Sequence, residues 1–298
     1  MELAEIRPFE PQMAEIDLFT MPDAVGVGEP SVRKQKPYIA GHVTDGSSTF
    51  TFTVNGNESV TVPVDANGNW KWVVDRTVTS LYEAFRGKTN IDKVELACKF
   101  DDLENLYYTF ANCSYLQEVK FKEGIKLSNV TNADHTFSNC SRLTAVNLQS
   151  ATLEKVTTVN RFFNNCIALT VIDLGNAIFN DNARFPAFCY GCKNATTINL
   201  NKALFVKGGS DDTIAFSACD ALAELTLGTL KFSLTFANSN LLTEQSVVNL
   251  FNAVAADGIT LTFHATVYAM IEQQLEIEGS PIYEAYWNSD YDFNYASA

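Results

Sequence analysis

The sequence predicts an α/β repeat solenoid, a stack of short parallel strands preceded by a small β module and closed by an α/β cap. Three observations carry that prediction. First, the phrase Phe110-Ala-Asn-Cys113-Ser-Tyr-Leu116-Gln-Glu-Val119-Lys-Phe121 returns as Phe137-Ser-Asn-Cys140-Ser-Arg-Leu143-Thr-Ala-Val146-Asn-Leu148 and as Phe163-Asn-Asn-Cys166-Ile-Ala-Leu169-Thr-Val-Ile172-Asp-Leu174. Second, its leading slot falls at Phe85, Phe110, Phe137, Phe163, Cys189 and Phe216, in steps of 25, 27, 26, 26 and 27 residues, and a fixed period of this length means a stack of like units. Third, the hydrophobic period changes on both sides, to strict alternation before residue 79 and to helical spacing after residue 240.

Residues 1–37 hold five of the eight prolines, Pro8, Pro11, Pro22, Pro30 and Pro37, among Phe9, Ile16, Leu18, Phe19 and Val25. Proline at that density allows neither regular helix nor central strand, and the apolar residues are too many for a solvated linker. An extended arm is expected, ordered by docking along its own chain or on a partner, because ordering such a segment needs a surface that offsets its lost entropy. Phe9, Ile16, Leu18 and Phe19 are its candidate partner-binding residues.

Residues 38–78 alternate. Phe50, Phe52 and Val54 are interleaved with threonines, Asn55-Gly56 supplies a turn, Val60, Val62 and Val64 alternate again, and Asp65 to Gly68 turns into Trp70-Lys-Trp72. Alternation punctuated by Asn-Gly is a hairpin signature. The expected role is to cover the first unit of the stack, since a solenoid end must be capped to stay soluble.

Residues 79–240 are the repeats. Each unit sets a Phe and a Cys on one short turn and follows them with a Leu-x-x-Val-x-Leu strand whose alternate side chains face inward. One unit alone cannot bury that face, but stacked units bury it in a continuous core. A further copy runs from Phe216 to Leu227, a degenerate one from Cys189 to Leu200, and a first copy without Cys from Phe85 to Leu96. Segments such as 101–109 and 156–161 return the chain to the next unit.

In residues 241–298 Val247, Leu250, Phe251 and Val254 mark a helix stopped by Gly258, residues 259–263 read as a strand, and residues 267–277 as a second amphipathic helix. The last stretch, Tyr283, Tyr286, Trp287, Tyr291, Phe293 and Tyr295 among Asp and Asn, is aromatic and anionic at once. Tyr286 and Trp287 are expected to close the end of the stack, because large rings are mostly buried. Tyr291, Phe293 and Tyr295 are the candidates for contact with a partner, as such rings give large contact area at low entropy cost.

The chain of 298 residues is 46% apolar and 12% aromatic, enough for a sizeable core, and its net charge is −14. Residues 1–30 hold seven acids against Arg7, and residues 232–298 hold eight acids and no Lys or Arg, so the ends carry −6 and −8 and the body between is neutral. That balance excludes nucleic acid as a partner, which needs a basic footprint. No apolar run reaches the length of a membrane span.

Five of the seven cysteines, Cys113, Cys140, Cys166, Cys192 and Cys219, fill one repeat slot, and Cys189 fills the Phe slot of the degenerate copy. A small residue recurring once per unit reads as a packing ladder. Cys189-x-x-Cys192 has redox spacing, but zinc would need a second pair, which the sequence lacks. The odd count points to reduced thiols. The first thirty residues are acidic and proline-containing, so neither an export signal nor a lipid-anchored cysteine is expected, the first Cys being Cys98.

Catalytic patterns are thin. His42, His135 and His264 fall in three different modules, and Gly26-Val-Gly28 lacks the third glycine of a phosphate loop. Asp290-Tyr-Asp292-Phe-Asn294 begins like a calcium loop, but Tyr295 stands where that loop needs glycine. The Asn-Cys-Ser triplets at Asn112 and Asn139 belong to the repeat, where Asn can bond the turn. No catalytic residue, cofactor or metal site is expected.

The Phe-x-x-Cys-x-x-Leu-x-x-Val-x-Leu unit, over about residues 80–240, resembles the BspA-type leucine-rich repeat, known from bacterial surface proteins and from proteins encoded by their phages. Residues 38–78 resemble the small Ig-like β modules that precede repeats in some of these proteins. The resemblance implies a mostly non-catalytic solenoid that presents surfaces to varied partners. With the apolar arm and the reduced-looking cysteines, the expected function is a non-enzymatic structural or adhesive component of a bacteriophage particle. It would decorate a head or tail, be assembled in the bacterial cytoplasm, and be attached to other virion proteins through residues 1–37. The alternative is a bacterial cell-surface adhesin, its export sequence removed, that binds host proteins or glycans.

Overall fold

A computed structural model describes residues 36–97, 102–122, 127–148 and 151–298. The N-terminal module begins with β1 (Tyr38–Val43), β2 (Thr49–Val54), β3 (Glu58–Pro63) and β4 (Asn69–Val73). The alternation works as expected, with Phe50, Phe52, Val54, Val60 and Val62 turned into the core and the threonines outward. β2 and β3 pair antiparallel, Phe50 opposite Val62. Their turn puts Asn55 at φ 52° and Gly56 at φ 86°, the left-handed region that Asn and Gly enter at least cost. A full Ig sandwich has about seven strands, whereas four stand here, and β1 is shared. It pairs antiparallel with β4 on one side and with β5 (Ile91–Ala97), the first repeat strand, on the other.

The repeat strands continue as β6 (Glu118–Phe121), β7 (Ala145–Asn147), β8 (Thr152–Leu153), β9 (Val171–Asp173), β10 (Ile178–Phe179), β11 (Thr197–Phe205) and β12 (Glu224–Leu230). β5, β6 and β7 run parallel in register, Val94 beside Val119 beside Val146. β9, β11 and β12 do the same. One unbroken ladder was expected, and it is divided: among the described residues β7 does not pair with β9. The third copy has a short strand with Ala145 and Asn147 exposed, and at this level parallel pairing passes to β8 and β10, which bury Leu153 and Phe179.

The turns hold the stack together where the strands do not. Backbone amides reach one repeat ahead at every step: Phe85 N to Thr109 O (2.9 Å), Phe110 N to Thr136 O (2.9 Å), Phe137 N to Phe162 O (2.9 Å), Phe163 N to Phe188 O (2.9 Å) and Cys189 N to Ala215 O (2.8 Å). Two residues on, Asn112, Asn139 and Asn165 sit at φ 62°, 60° and 55°, with Gly87 and Gly191 in the same slot at 69° and 77°. Five of the six copies place Asn or Gly at this left-handed position, the residues that enter it at least cost, and the last copy holds Ala218 there at φ 55°. The Asn side chains add a ladder of their own, Asn139 Nδ2 donating to Asn112 Oδ1 (2.9 Å) and Asn165 Nδ2 to Asn139 Oδ1 (3.0 Å). The ladder stops at Gly191, where a Cβ would lie 2.3 Å from Asn165 Oδ1.

Inside, Phe85, Phe110, Phe137 and Phe163 stack nearly parallel, with centroids 5.1, 5.4 and 5.4 Å apart. At the degenerate copy, where Cys189 holds the slot, the neighbouring Phe188 supplies the ring, 5.7 Å from Phe163. The expected thiol ladder is present and does more than fill space. Each thiol donates to the backbone carbonyl of the leading slot one repeat back: Cys113 to Phe85 (2.9 Å), Cys140 to Phe110, Cys166 to Phe137 and Cys192 to Phe163 (3.0 Å each), and Cys219 to Cys189 (3.3 Å).

Among the described residues no helix precedes residue 244, so the repeats are strands and turns, and α/β holds only for the residues beyond them. There β13 (Leu234–Phe236), α1 (Glu244–Ala253), β14 (Thr260–Phe263), α2 (Ala265–Leu275), α3 (Pro281–Trp287) and β15 (Asn294–Ser297) alternate. α1 buries Val247, Leu250 and Phe251, with Val254 just past its end, and Thr243 caps its start. β13, β14 and β15 form a parallel sheet, Phe236 beside Phe263 and Leu261 beside Tyr295. Phe216, Phe236 and Phe263 continue the ring stack at 6.0 and 5.8 Å. The stack thus runs on past residue 240, with helices in place of turns as its return segments. Among the described residues no helix is long and apolar enough to cross a membrane.

Candidate recognition surfaces

The groups most able to do chemistry are tied to the framework. All six described cysteines are free thiols in the core. Burial pushes Cys113 up to about 12 from an ordinary 9.0, and raises Cys140, Cys166, Cys189 and Cys219 as well, which keeps these thiols protonated and poor as nucleophiles. His42 lies between Asp92 Oδ1 (2.7 Å) and Asn67 O (3.0 Å), and His264 caps α2 by accepting from Thr266 N at 3.1 Å. No group of three or more metal-ligating side chains converges among the described residues.

Of the residues expected to meet a partner, Phe9, Ile16, Leu18 and Phe19 lie outside the described residues. The C-terminal aromatics divide otherwise than expected. Tyr291 is 40% exposed, but Phe293 is only 5% exposed and packs edge-on against Phe251 (5.1 Å) and Tyr286 (5.2 Å). It closes the stack and has no face left for a partner. Tyr295 is half-buried on β15 and donates to Glu272 Oε1 at 2.7 Å. Burial first and Glu272 second raise its phenol above the ordinary range.

Trp287, expected to close the end, is instead 63% exposed. The reason is helical phase. In α3, Ile282, Ala285 and Tyr286 take the inward face, which turns Tyr283, Glu284 and Trp287 outward one turn apart. The signal was present in the sequence: Ser280 caps α3 by accepting from Tyr283 N, and Pro281 occupies its first turn.

A second surface, unmarked in the sequence, runs along the turns of the early repeats. Tyr82 stacks on Tyr107 at 5.8 Å, and Tyr108 lies between the Arg86 guanidinium (4.6 Å) and the His135 ring (4.5 Å, 13° from parallel). Arg86 also pairs with Glu83. Burial, Arg161 and Arg86 lower the His135 pKa from its ordinary 6.5, and burial raises Asp134. The ring partners Tyr82 and Tyr107 lie 25 positions apart, Tyr108 and His135 27, and Arg86 and Tyr108 22, so these contacts form only through stacking of the repeats.

The family described as BspA type leucine rich repeat region matches this chain in six copies, over residues 74–156 and 129–241. A solved leucine-rich repeat protein from Bacteroides ovatus ATCC 8483 is 13% identical, over 84% of this chain and 90% of that one, with a TM-score of 0.19. No curated protein matches. Six family copies over more than half of the sequence coincide with the stacked turns and buried thiols described above, and the chain belongs to the BspA-type leucine-rich repeat family.

Proposed function

We propose that this chain is a non-enzymatic recognition scaffold of the bacterial surface type, which holds a protein partner on side chains fixed by its repeat ladder. The observation that carries this reading is the distribution of rings. Phe85, Phe110, Phe137, Phe163 and Phe216 are closed inside, while Trp287 and Tyr291 stand open and Tyr82, Tyr107 and Tyr108 stay half-exposed. These rings stand outside a core that is already filled, and exposed aromatic groups of this kind mark contact sites. A backbone bonded from repeat to repeat holds them still, which lowers the entropy lost on association. In this reading residues 38–78 cover the first rung, residues 79–240 form the presenting ladder, and residues 241–298 carry the aromatic end.

Family membership speaks for the cell-surface alternative better than for a virion component. Nothing in the fold or the comparisons points to a phage particle, and the residues meant to attach to one lie outside the described part.

The test is binding of the purified full chain to immobilised host extracellular proteins and to glycans, alongside the Trp287→Ala and Tyr107→Ala variants. The reading expects saturable binding to a protein that weakens in at least one variant. Binding to no protein, or equal binding by parent and both variants, would overturn it.

A further inference from the structure

The outward face of α3 states what kind of partner it fits. Trp287 presents its indole at 63% exposure, supported on one side by Tyr286 (5.1 Å, 78° between planes) and by Tyr283 (6.2 Å). Glu284 stands on the same face and is exposed, and its carboxylate is steadied by the Asn288 amide, which donates to it. A carboxylate offers about four acceptor sites, so this bond leaves room for more. Asp290, Tyr291 and Asp292 come directly after, and all three are exposed. From residue 232 to the end there are eight acids and no Lys or Arg.

An aromatic face beside a carboxylate can be satisfied in few ways. A neutral apolar partner would cover the indole but desolvate Glu284 unpaired, which is costly. An acidic partner, or the chain's own residues 1–30 with their −6 charge, would be repelled. A guanidinium or ammonium group meets both demands, lying over the indole face and pairing with the carboxylate. Arginine does so best, because its planar fork stacks and bonds at once. We propose that the face formed by Tyr283, Glu284 and Trp287 docks an arginine- or lysine-bearing segment of a protein partner. This deepens the scaffold reading above and rests on it.

The test uses the full chain and two short peptides, one alternating arginine with glycine and one alternating glutamate with glycine. Trp70 and Trp72 are 1% and 7% exposed, so a binding-induced change in tryptophan emission reports on Trp287, with calorimetry giving the affinity for every variant. The expected result is binding of the arginine peptide alone, weakened by added salt and reduced about two- to fivefold by Glu284→Gln and by Trp287→Ala. Both residues are exposed, and circular dichroism checks that the variants keep their fold. Equal affinity for the glutamate peptide, or an arginine-peptide affinity unchanged by both substitutions, would overturn the proposal. A protein partner that needs Trp287 but ignores both salt and Glu284→Gln would sink the cation preference and leave the scaffold standing. Partners indifferent to Trp287→Ala and Tyr107→Ala alike would sink both.

Discussion

Replacing Cys140 with alanine separates what the thiol ladder contributes from what the rings contribute. Cys140 is fully buried and its Sγ donates to Phe110 O at 3.0 Å. The same carbonyl accepts from Cys113 N at 3.1 Å, so removing the thiol leaves no orphaned acceptor and only the bond itself is lost. A weak S–H donor belongs at the low end of the net range, about 0.5–1 kcal/mol. Losing the buried sulfur costs about 1 kcal/mol, taking it as roughly one methylene, and a void between fixed neighbours adds to that. The expected total for Cys140→Ala is about 2 kcal/mol. Cys140→Val restores volume without a donor and is expected to recover about half. Urea unfolding followed by circular dichroism reads both as shifts of midpoint at constant slope. A Cys140→Ala variant within about 0.5 kcal/mol of the parent, or a valine variant as stable as the parent, would refute a bonding role for the thiols.

Asn139→Gly and Asn139→Val both lose the exposed side-chain bonds to Asn112 and Asn165, but with φ at 60° the left-handed slot predicts that the valine variant is less stable than the glycine variant by about 2 kcal/mol; equal melting of the two variants would contradict this. Gly191→Ala meets both the left-handed strain and the 2.3 Å approach to Asn165, and a destabilisation of about 1–2 kcal/mol is expected from urea midpoints. The buried thiols have folded pKa values raised above 9.0, so the unfolded chain loses their protons first. Their contribution is full below pH 9.0 and falls as pH rises from there through the folded values, about 12 for Cys113; urea midpoints that stay flat above pH 9.0 would count against this. For His135 the folded pKa is lowered, so stability is full above pH 6.5 and declines as pH falls below it. An NMR titration of the His135 ring giving a value at or above 6.5 would remove that effect.

Repetition is a local property, so the stack could be read from the chain alone. A side chain that recurs at about 26-residue steps must meet its own equivalents, whatever else the fold does. The Phe and Cys slots, the hairpin around Asn55-Gly56 and the helices near residues 247–254 and 267–277 were all legible for that reason, their boundaries moving by only a few residues. The role of the thiol as donor was not legible, because its acceptor lies 28–30 residues upstream and only stacking brings the two together. The division between β7 and β9 is also a matter of pairing partners, as is the run of rungs past residue 240, where the spacing changes although the ring stack does not.

The same distinction governs the candidate surfaces. The amino-acid sequence determined that the C-terminal stretch is aromatic and acidic, since composition needs no fold. Which ring faces water was decided by the tertiary structure. Phe293 is drawn inward by the segment that leads into β15, docked in parallel on β14, and Trp287 is left outside because the inward face of α3 already belongs to Ile282, Ala285 and Tyr286. Burial of one ring in a crowded end excludes its neighbour, and that competition for space exists only once the elements have packed.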